Sequence, residues 1–517
     1  MTGDEKSERS AENAAVEVPE ELDARLVPAA FCCWGATIVA LVGGWRVGVC
    51  TAVGCLLLAV GLWGLMIRPE GSGWRKGVGW VMLAAFSVGA GFAGAGAWHE
   101  WEVAGHPLRS VGKGERVRVT VAVADDPKAL VEKKFGGKKV MLRADLVEFR
   151  AGGEVVRGGG AVLVLAPEVG WKGLLPGQEV VFRARVSGAW RADLTVAVLR
   201  ADGPPIAVGA APWWQRAAGR VREDFAGAAQ RALPGDAAGL LPGLVIGDTS
   251  RLPERVRENF KETDLAHLTA VSGANITILL GAVVVSMRAL TVDPRVGAVA
   301  AGIALALFVI LARPSPSVLR AAVMGAVALL ALCTGRRKQA LPALCTAIIG
   351  LLAWSPQLAV DAGFALSVLA TAGLIVLAPG WSDWLRAHGW WRVPADAFAV
   401  AAAAFVVTTP VVIAITGHLS LVAIGVNVLV EPVIAPITVL GAIGAVLACC
   451  WAPLGELVLF CTAPPLWWLL TVADHAAELG ASVTLPTGIR SGVIAAVLCA
   501  LLIAGLRPRP QRVDVPP

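Results

Sequence analysis

Between Leu265 and Leu280 the chain reads LAHLTAVSGANITILL, an apolar run that carries His267, Thr269, Ser272, Gly273, Asn275 and Thr277. An imidazole and a hydroxyl in one segment raise the chemistry of a serine nucleophile with a histidine base, which requires the two to lie within hydrogen-bond reach. The spacing argues against it. Ser272 follows His267 by five residues, so on one helix neither points at the other, and no Gly-x-Ser-Gly sequence accompanies them. On a helix His267, Val271 and Asn275 share a face, Ser272 and Asn275 are neighbours, and Ser272-Gly273 marks a site for a kink or a break. Polar atoms at membrane depth must be paired or wet. The pattern therefore predicts either the wall of a water-filled path or polar glue between helices.

Further polar residues interrupt apolar sequence elsewhere. Asp248 closes GLVIGDTSRLP, which is too short to span a bilayer and reads as a re-entrant or interfacial element leading into an amphipathic helix at Glu254–Glu262. Arg320, Asp361, Ser367, His418, Asn427 and Glu431 lie in or beside later apolar runs, where ionisable groups are functional candidates. Arg320 and Asp361 are expected to pair across helices. No metal or cofactor is expected: the six histidines form no His-x-His-x-Asp-His motif, and all ten cysteines sit in apolar runs as small hydrophobes. No GxxxxGK[ST] motif for nucleotide hydrolysis occurs.

The elements that must position these residues are set by composition. Of 517 residues 56% are hydrophobic and only 16% charged, and the apolar excess is gathered into runs long enough to cross a bilayer. Runs near 29–44, 47–67 and 77–98 come first, after a polar, acidic start at 1–21 without the apolar core of a cleavable signal. Arg68, Arg75 and Lys76 mark the second loop as cytoplasmic by the positive-inside tendency, which sends the segment after Trp98 outward. There the period changes to two, in ERVRVTVAV, KKVMLRADLVEF, GAVLVLA, EVVFRARV and LTVAVLRAD. Five such half-buried strands fit a small barrel, the OB-fold being the commonest five-stranded one. From Leu108 to Pro205 there are 17 Lys/Arg against 11 Asp/Glu, an excess of six that equals the net charge of the whole chain. An amphipathic basic helix with Trp213 and Trp214 follows and reads as interfacial. Nine apolar runs fill 265–506, the one at 419–452 being long enough to read as broken or re-entrant. The basic cluster at 335–338 and the arginines after 506 are expected in the cytoplasm, provided 419–452 crosses once.

LPGLVIGDTSRLPERVRENFKETDLAHLTAVSGANITILLG resembles the signature region of the ComEC competence-protein family, through Gly243, Leu244, Gly247, Asp248, Phe260, His267, Leu268, Ala270, Val271, Ser272 and Gly273. Asn275 stands where the family tends to have His or Asn. Thr263-Asp264-Leu265 departs from the usual Thr/Ser-Gly-Leu, and His418 from the usual aromatic residue. RPSPSVLRAAVM, the Gly363-Phe364-x-Leu366-Ser367 block and the block ending at Asn427 and Pro432 follow in family order. The resemblance implies a polytopic α-helical membrane protein of about eleven or twelve transmembrane helices, some broken or re-entrant, with an inserted OB-like β-barrel outside the cytoplasm. It divides into a polar N-terminus at 1–28, three helices at 29–104, the β domain at 105–208, a linker at 209–262, a channel domain at 263–506 and a basic tail at 507–517. It implies a channel in the bacterial inner membrane that takes up single-stranded DNA during natural transformation, without chemistry of its own. The C-terminal metallo-β-lactamase-like domain of many members is expected to be absent. Implied partners are the lipid bilayer, a cytoplasmic helicase or ATPase, DNA-uptake pilus proteins, a separate metallo-β-lactamase-like hydrolase and a second copy in a homodimer. The rival reading is a secondary transporter or permease for a small solute or lipid, working through His267, Asp361 and Arg320.

Overall fold

The computed structural model describes residues 23–67, 73–130, 138–151, 154–189, 193–269, 271, 273–334 and 339–505. Ser272, Arg68, the 335–338 cluster and the tail from 507 lie outside them. Three apolar helices open the chain: α1 (Val27–Gly43), α2 (Trp45–Met66) and α3 (Gly73–Ala104). A single turn, α4 (Pro107–Ser110), then leads into the sheet. His106 caps that turn. Its Nδ1 accepts from the Leu108 amide at 3.1 Å, so the ring proton sits on Nε2, which donates to the Gly159 carbonyl at 2.9 Å.

The five alternating runs fall on β1 (Arg116–Val123), β3 (Lys139–Ala151), β5 (Ala161–Pro167), β6 (Glu179–Ser187) and β7 (Thr195–Ala201). Short strands β2 (Lys128–Leu130), β4 (Glu154–Arg157) and β8 (Ala207–Val208) lie beside them. β1 pairs antiparallel with both β3 and β6; β3 pairs with β5, β5 with β7 in parallel, and β7 with β6. Each of the five therefore has two neighbours, and the strand order returns to its start. Inward positions Val117, Val119, Val121, Phe149, Val164 and Phe182 are buried around Trp171, which packs edge-on to Phe182 and donates from Nε1 to the Gly203 carbonyl. Burying each such side chain stabilises the sheet by roughly 1.5–3 kcal/mol.

The chain then runs through α5 (Trp213–Ala232), α6 (Gly235–Ile246) and α7 (Glu254–Glu262). Phe225, Ala228 and Ala229 of α5 are buried, while Trp213 and Trp214 are exposed. The GLVIGD stretch belongs to α6, in which every residue from Ala237 to Ile246 is buried and which Gly247 ends in the left-handed conformation at φ 73°. α7 has the bounds its amphipathic pattern predicts. A 3₁₀ turn at Ala266–Thr269 precedes α8 (Gly273–Ala289), α9 (Pro294–Ala312), α10 (Pro316–Cys333) and α11 (Ala340–Trp354). After a second 3₁₀ turn at Pro356–Val360 come α12 (Ala362–Val376), α13 (Ala378–Ala387), α14 (Arg392–Thr416) and β9 (His418–Ser420). α15 (Ala423–Cys450), α16 (Ala452–Phe460), α17 (Ala463–Glu478), β10 (Ser482–Thr484) and α18 (Ile489–Gly505) complete the described chain.

Among the described residues six helices are long and apolar enough to cross a membrane, or eight if each of two bent pairs counts as one span. The expected eleven or twelve crossings would also need shorter apolar helices among α1, α8, α11 and α18. The run at 419–452 is not broken. It forms one continuous helix, α15, with Pro432 and Pro436 inside it. Pro432 leaves the Val428 carbonyl without its helical donor, and beside it Trp468 Nε1 of α17 donates to the Leu429 carbonyl at 2.9 Å. The bends fall elsewhere, at α12–α13 (40°) and α16–α17 (47°).

Candidate functional site

The segment from Phe260 to Asn275 does not form a single helix, so His267, Val271 and Asn275 do not share the helical face their spacing suggests. Asp264 has φ 61°, in the left-handed region that favours glycine. It turns the chain from α7 into the 3₁₀ turn, where His267 Nδ1 donates to the Asp264 carbonyl at 2.8 Å. Val271 is buried, and its carbonyl accepts from Ser317 Oγ of α10 at 3.0 Å. Gly273 then starts α8.

Asn275 is 4% exposed, and its Nδ2 donates to the Leu244 carbonyl at 2.9 Å. Leu244 lies in the last turn of α6, whose final carbonyls have no helical donor. The carboxamide thus ties the start of α8 to the end of α6. Asn275 borders a small cavity with Leu244, Leu268, Ile434, Ile437 and Thr438. Thr277 Oγ1 returns its proton to the Gly273 carbonyl.

Arg320, on the second turn of α10, is 6% exposed. Its Nε donates to Ser367 Oγ of α12 at 2.8 Å and its Nη1 approaches Met324 Sδ at 3.3 Å. Nη2 points at the start of α8, where a Cβ built on Gly273 would lie 3.3 Å from it. Among the described residues no carboxylate lies within ion-pair distance of Arg320. The expected Arg320–Asp361 pair is not formed, because Asp361 is engaged elsewhere. Its Oδ1 caps α12 by accepting from the Phe364 amide at 2.9 Å, and its Oδ2 lies 3.7 Å from Arg143 of β3.

Asp248 is likewise held by a cation. Arg222 of α5 lies 3.5 Å from it and 3.8 Å from Asp126 of the β1–β2 loop, and donates to the Leu311 carbonyl at 2.9 Å. Arg313, at φ 70° between α9 and α10, donates to Asp126 at 3.0 Å and to Gln215 of α5. Asp126 and Arg143 therefore fasten the sheet to the helical region at two places. Sequence reasoning missed Asp126, Arg143, Gln215, Arg222 and Arg313. Arg222 reads as one of four arginines decorating the polar face of α5, yet its side chain is only 12% exposed. The usable signal for Arg313 is a lone cation at the end of an apolar run, followed by Pro-Ser-Pro.

His418 and Glu431 gather around the same turn. Asp264 and His267 are in electrostatic reach of each other, with His418 near Asp264 and Glu431 near His267. Asn427 Nδ2 stays on its own helix, donating to the Ala423 carbonyl at 2.8 Å. His267, Asn275, Arg320 and Ser367 thus lie along the junction of the 3₁₀ turn, α8, α10 and α12; Asp248 and Asp361 serve contacts with α5 and the sheet. Among the described residues no group of three or more His, Cys, Asp or Glu is placed to hold a metal ion.

Comparison with known proteins bears on the same segment. The family model described as Competence protein matches residues 244–511. Over 144 residues the chain is 31% identical to ComE operon protein 3 of Bacillus subtilis (strain 168). The aligned stretch spans 28% of this chain and 19% of that protein. No solved structure matches the chain.

Proposed function

We infer the function from one premise: the chain belongs to the competence protein family, whose model covers about half of it, residues 244–511. On our reading it conducts single-stranded DNA inward across the bacterial inner membrane, without breaking or forming covalent bonds. The residues from 263 to 506 form the channel. The shorter apolar helices α1, α8, α11 and α18 cross as well, giving eleven or twelve spans. The cyclic pairing of β1, β3, β5, β7 and β6 supports an OB-like barrel on the outer side. A cytoplasmic helicase or ATPase supplies the driving force, and pilus proteins deliver the strand. A separate metallo-β-lactamase-like hydrolase and a second copy of the chain are further partners of this reading.

The observation that carries the reading is Arg320. A phosphodiester in bare hydrocarbon would cost tens of kcal/mol, so its path must be wet and must offer cations that attract without trapping. Among the described residues the Arg320 guanidinium is held by a hydroxyl and a thioether and is not neutralised by a carboxylate, which supports its serving as such a cation once the path opens. Asn275, His267 and Glu431 supply uncharged and titratable groups around the same turn.

The test uses single cysteines at His267, Thr277 and Glu431, all exposed, in an otherwise cysteine-free chain. They are expected to react with a membrane-impermeant thiol reagent and to be protected by single-stranded DNA. Arg320→Glu is expected to abolish uptake of labelled DNA while the protein remains in the membrane. Inert thiols at all three positions, or uptake unchanged by Arg320→Glu, would sink the reading. Solute flux coupled to an ion gradient, with normal DNA uptake, would favour the permease instead.

A further inference from the structure

The outward face of the sheet carries an unusual charge arrangement. Arg116 and Arg118 of β1 lie directly across from Arg185 and Arg183 of β6. On its other side Arg118 is registered with Arg150 of β3, and Arg185 is registered with Arg200 of β7. All six side chains are exposed. Four cross-strand positions therefore oppose arginine to arginine. Like charges opposite one another destabilise a sheet by up to about 1 kcal/mol per pair. Asp202 bridges Arg116 Nε at 3.2 Å and Arg185 Nε at 3.1 Å. A surface needed only for solubility would intersperse the two signs.

We infer that this lattice is a docking surface for the phosphate backbone of a nucleic-acid single strand. The inference rests on the DNA-conducting reading for the identity of the polyanion. Rows of cations lie about 4.8 Å apart across the strands and about 6.8 Å apart along them, so successive phosphates can each meet two guanidinium groups. Further along the same outward face Thr120 stands opposite Glu148 and Val181, and Ala122 opposite Asp145 and Glu179, so the arginines are segregated at one end and the carboxylates at the other, with no aromatic ring among these positions. Base stacking therefore contributes nothing there, and binding is indifferent to sequence and steeply dependent on salt. β3 runs from Arg150 in the lattice to Arg143, which touches Asp361 beside α12. Seven residues of strand, roughly 23 Å, link the lattice to the helical region. A strand held on this face is thus delivered beside α12, whose Ser367 holds Arg320.

The test measures affinity of the full-length protein, in detergent, for fluorescent oligothymidylate and oligoadenylate across a salt series. Replacing Arg116, Arg118, Arg183 and Arg185 together by Gln is expected to weaken binding at least about tenfold at low salt. If those four meet two phosphates, the slope of log K against log salt becomes shallower by about 1.4, at about 0.7 per phosphate for single strands. The four-fold Lys variant keeps most of the affinity and the slope. Replacing Lys128, Lys172, Arg295 and Arg386 by Gln removes as many cations elsewhere and leaves both unchanged. The proposal is overturned if the Gln variant binds like the parent or the control variant loses as much. It is also overturned if the loss appears only with vesicles of anionic lipid. None of these results touches the channel reading, which the thiol and Arg320→Glu measurements decide separately.

Discussion

Asp264 shows how a single residue can register a backbone demand. The related family pattern has glycine at this position, and here the residue holds φ 61°. Aspartate tolerates that conformation better than most residues but still bears a steric penalty that glycine does not. Asp264→Gly keeps the carbonyl that accepts from His267. It is expected to stabilise the protein by about 0.5 kcal/mol, read as a small rise in the thermal midpoint in detergent; a fall of similar size would show that the side chain itself matters. At this scale the sequence made the polar residues visible but not their partners. Asn275 was legible as a carboxamide in an apolar run. Its acceptor, the Leu244 carbonyl thirty-one residues earlier, was not, since only packing decides which helix end meets which side chain. For the same reason the attractive pairing of Arg320 with Asp361 failed: opposite charge in neighbouring runs says nothing about which end of each helix they occupy.

Elements divide into those with a strong period and those without. The five long strands were legible because alternation is local and survives any tertiary context. α15 was not, because two prolines suggest a break, whereas a neighbouring helix can steady the interrupted ladder, as Trp468 of α17 does beside Pro432. Two element-scale consequences are measurable. Burial, the largest influence, and then the nearby Arg109 charge hold the His106 imidazole below its ordinary 6.5, against the opposing bond to Gly159. The folded state therefore binds fewer protons than the unfolded one. Its contribution is fully present above about 6.5 and is lost as pH falls through the lower folded value. The thermal midpoint of the sheet is expected to drop between about pH 7 and pH 5, and His106→Gln to remove that part of the slope. The second consequence concerns the fastening of sheet to helices. Asp126→Asn weakens its contacts with Arg313 and Arg222, whose side chains are 13% and 12% exposed. Asp126 is itself 33% exposed, so solvent screens the contacts and the cost is about 1–2 kcal/mol, between those of exposed and buried ion pairs. Hydrogen exchange of residues 124–130 should rise accordingly; unchanged protection would mean that Arg143 and Asp361 alone hold the sheet in place.

For the whole molecule, the ion pairs give an internal check on orientation. The turn after α9 binds Asp126 through Arg313, and the turn before α12 binds Arg143 through Asp361. Both turns must therefore share a side with the sheet, as the positive-inside argument expects of them. α9 has 19 residues, enough to cross once. Cysteines placed at Val292 and at Pro314 are expected to label from opposite faces of the membrane, the second from the side that carries the sheet. Labelling of both from one face would mean that α9 does not cross. The course of the chain was thus readable at low resolution from hydropathy and the placement of lysine and arginine, while the joints between sheet and helices needed the folded arrangement. The cyclic strand order has one more effect. Among the described residues no long strand offers a row of idle backbone donors and acceptors to a stranger, so copies crowded together in a membrane find no seam there along which to zip into fibres.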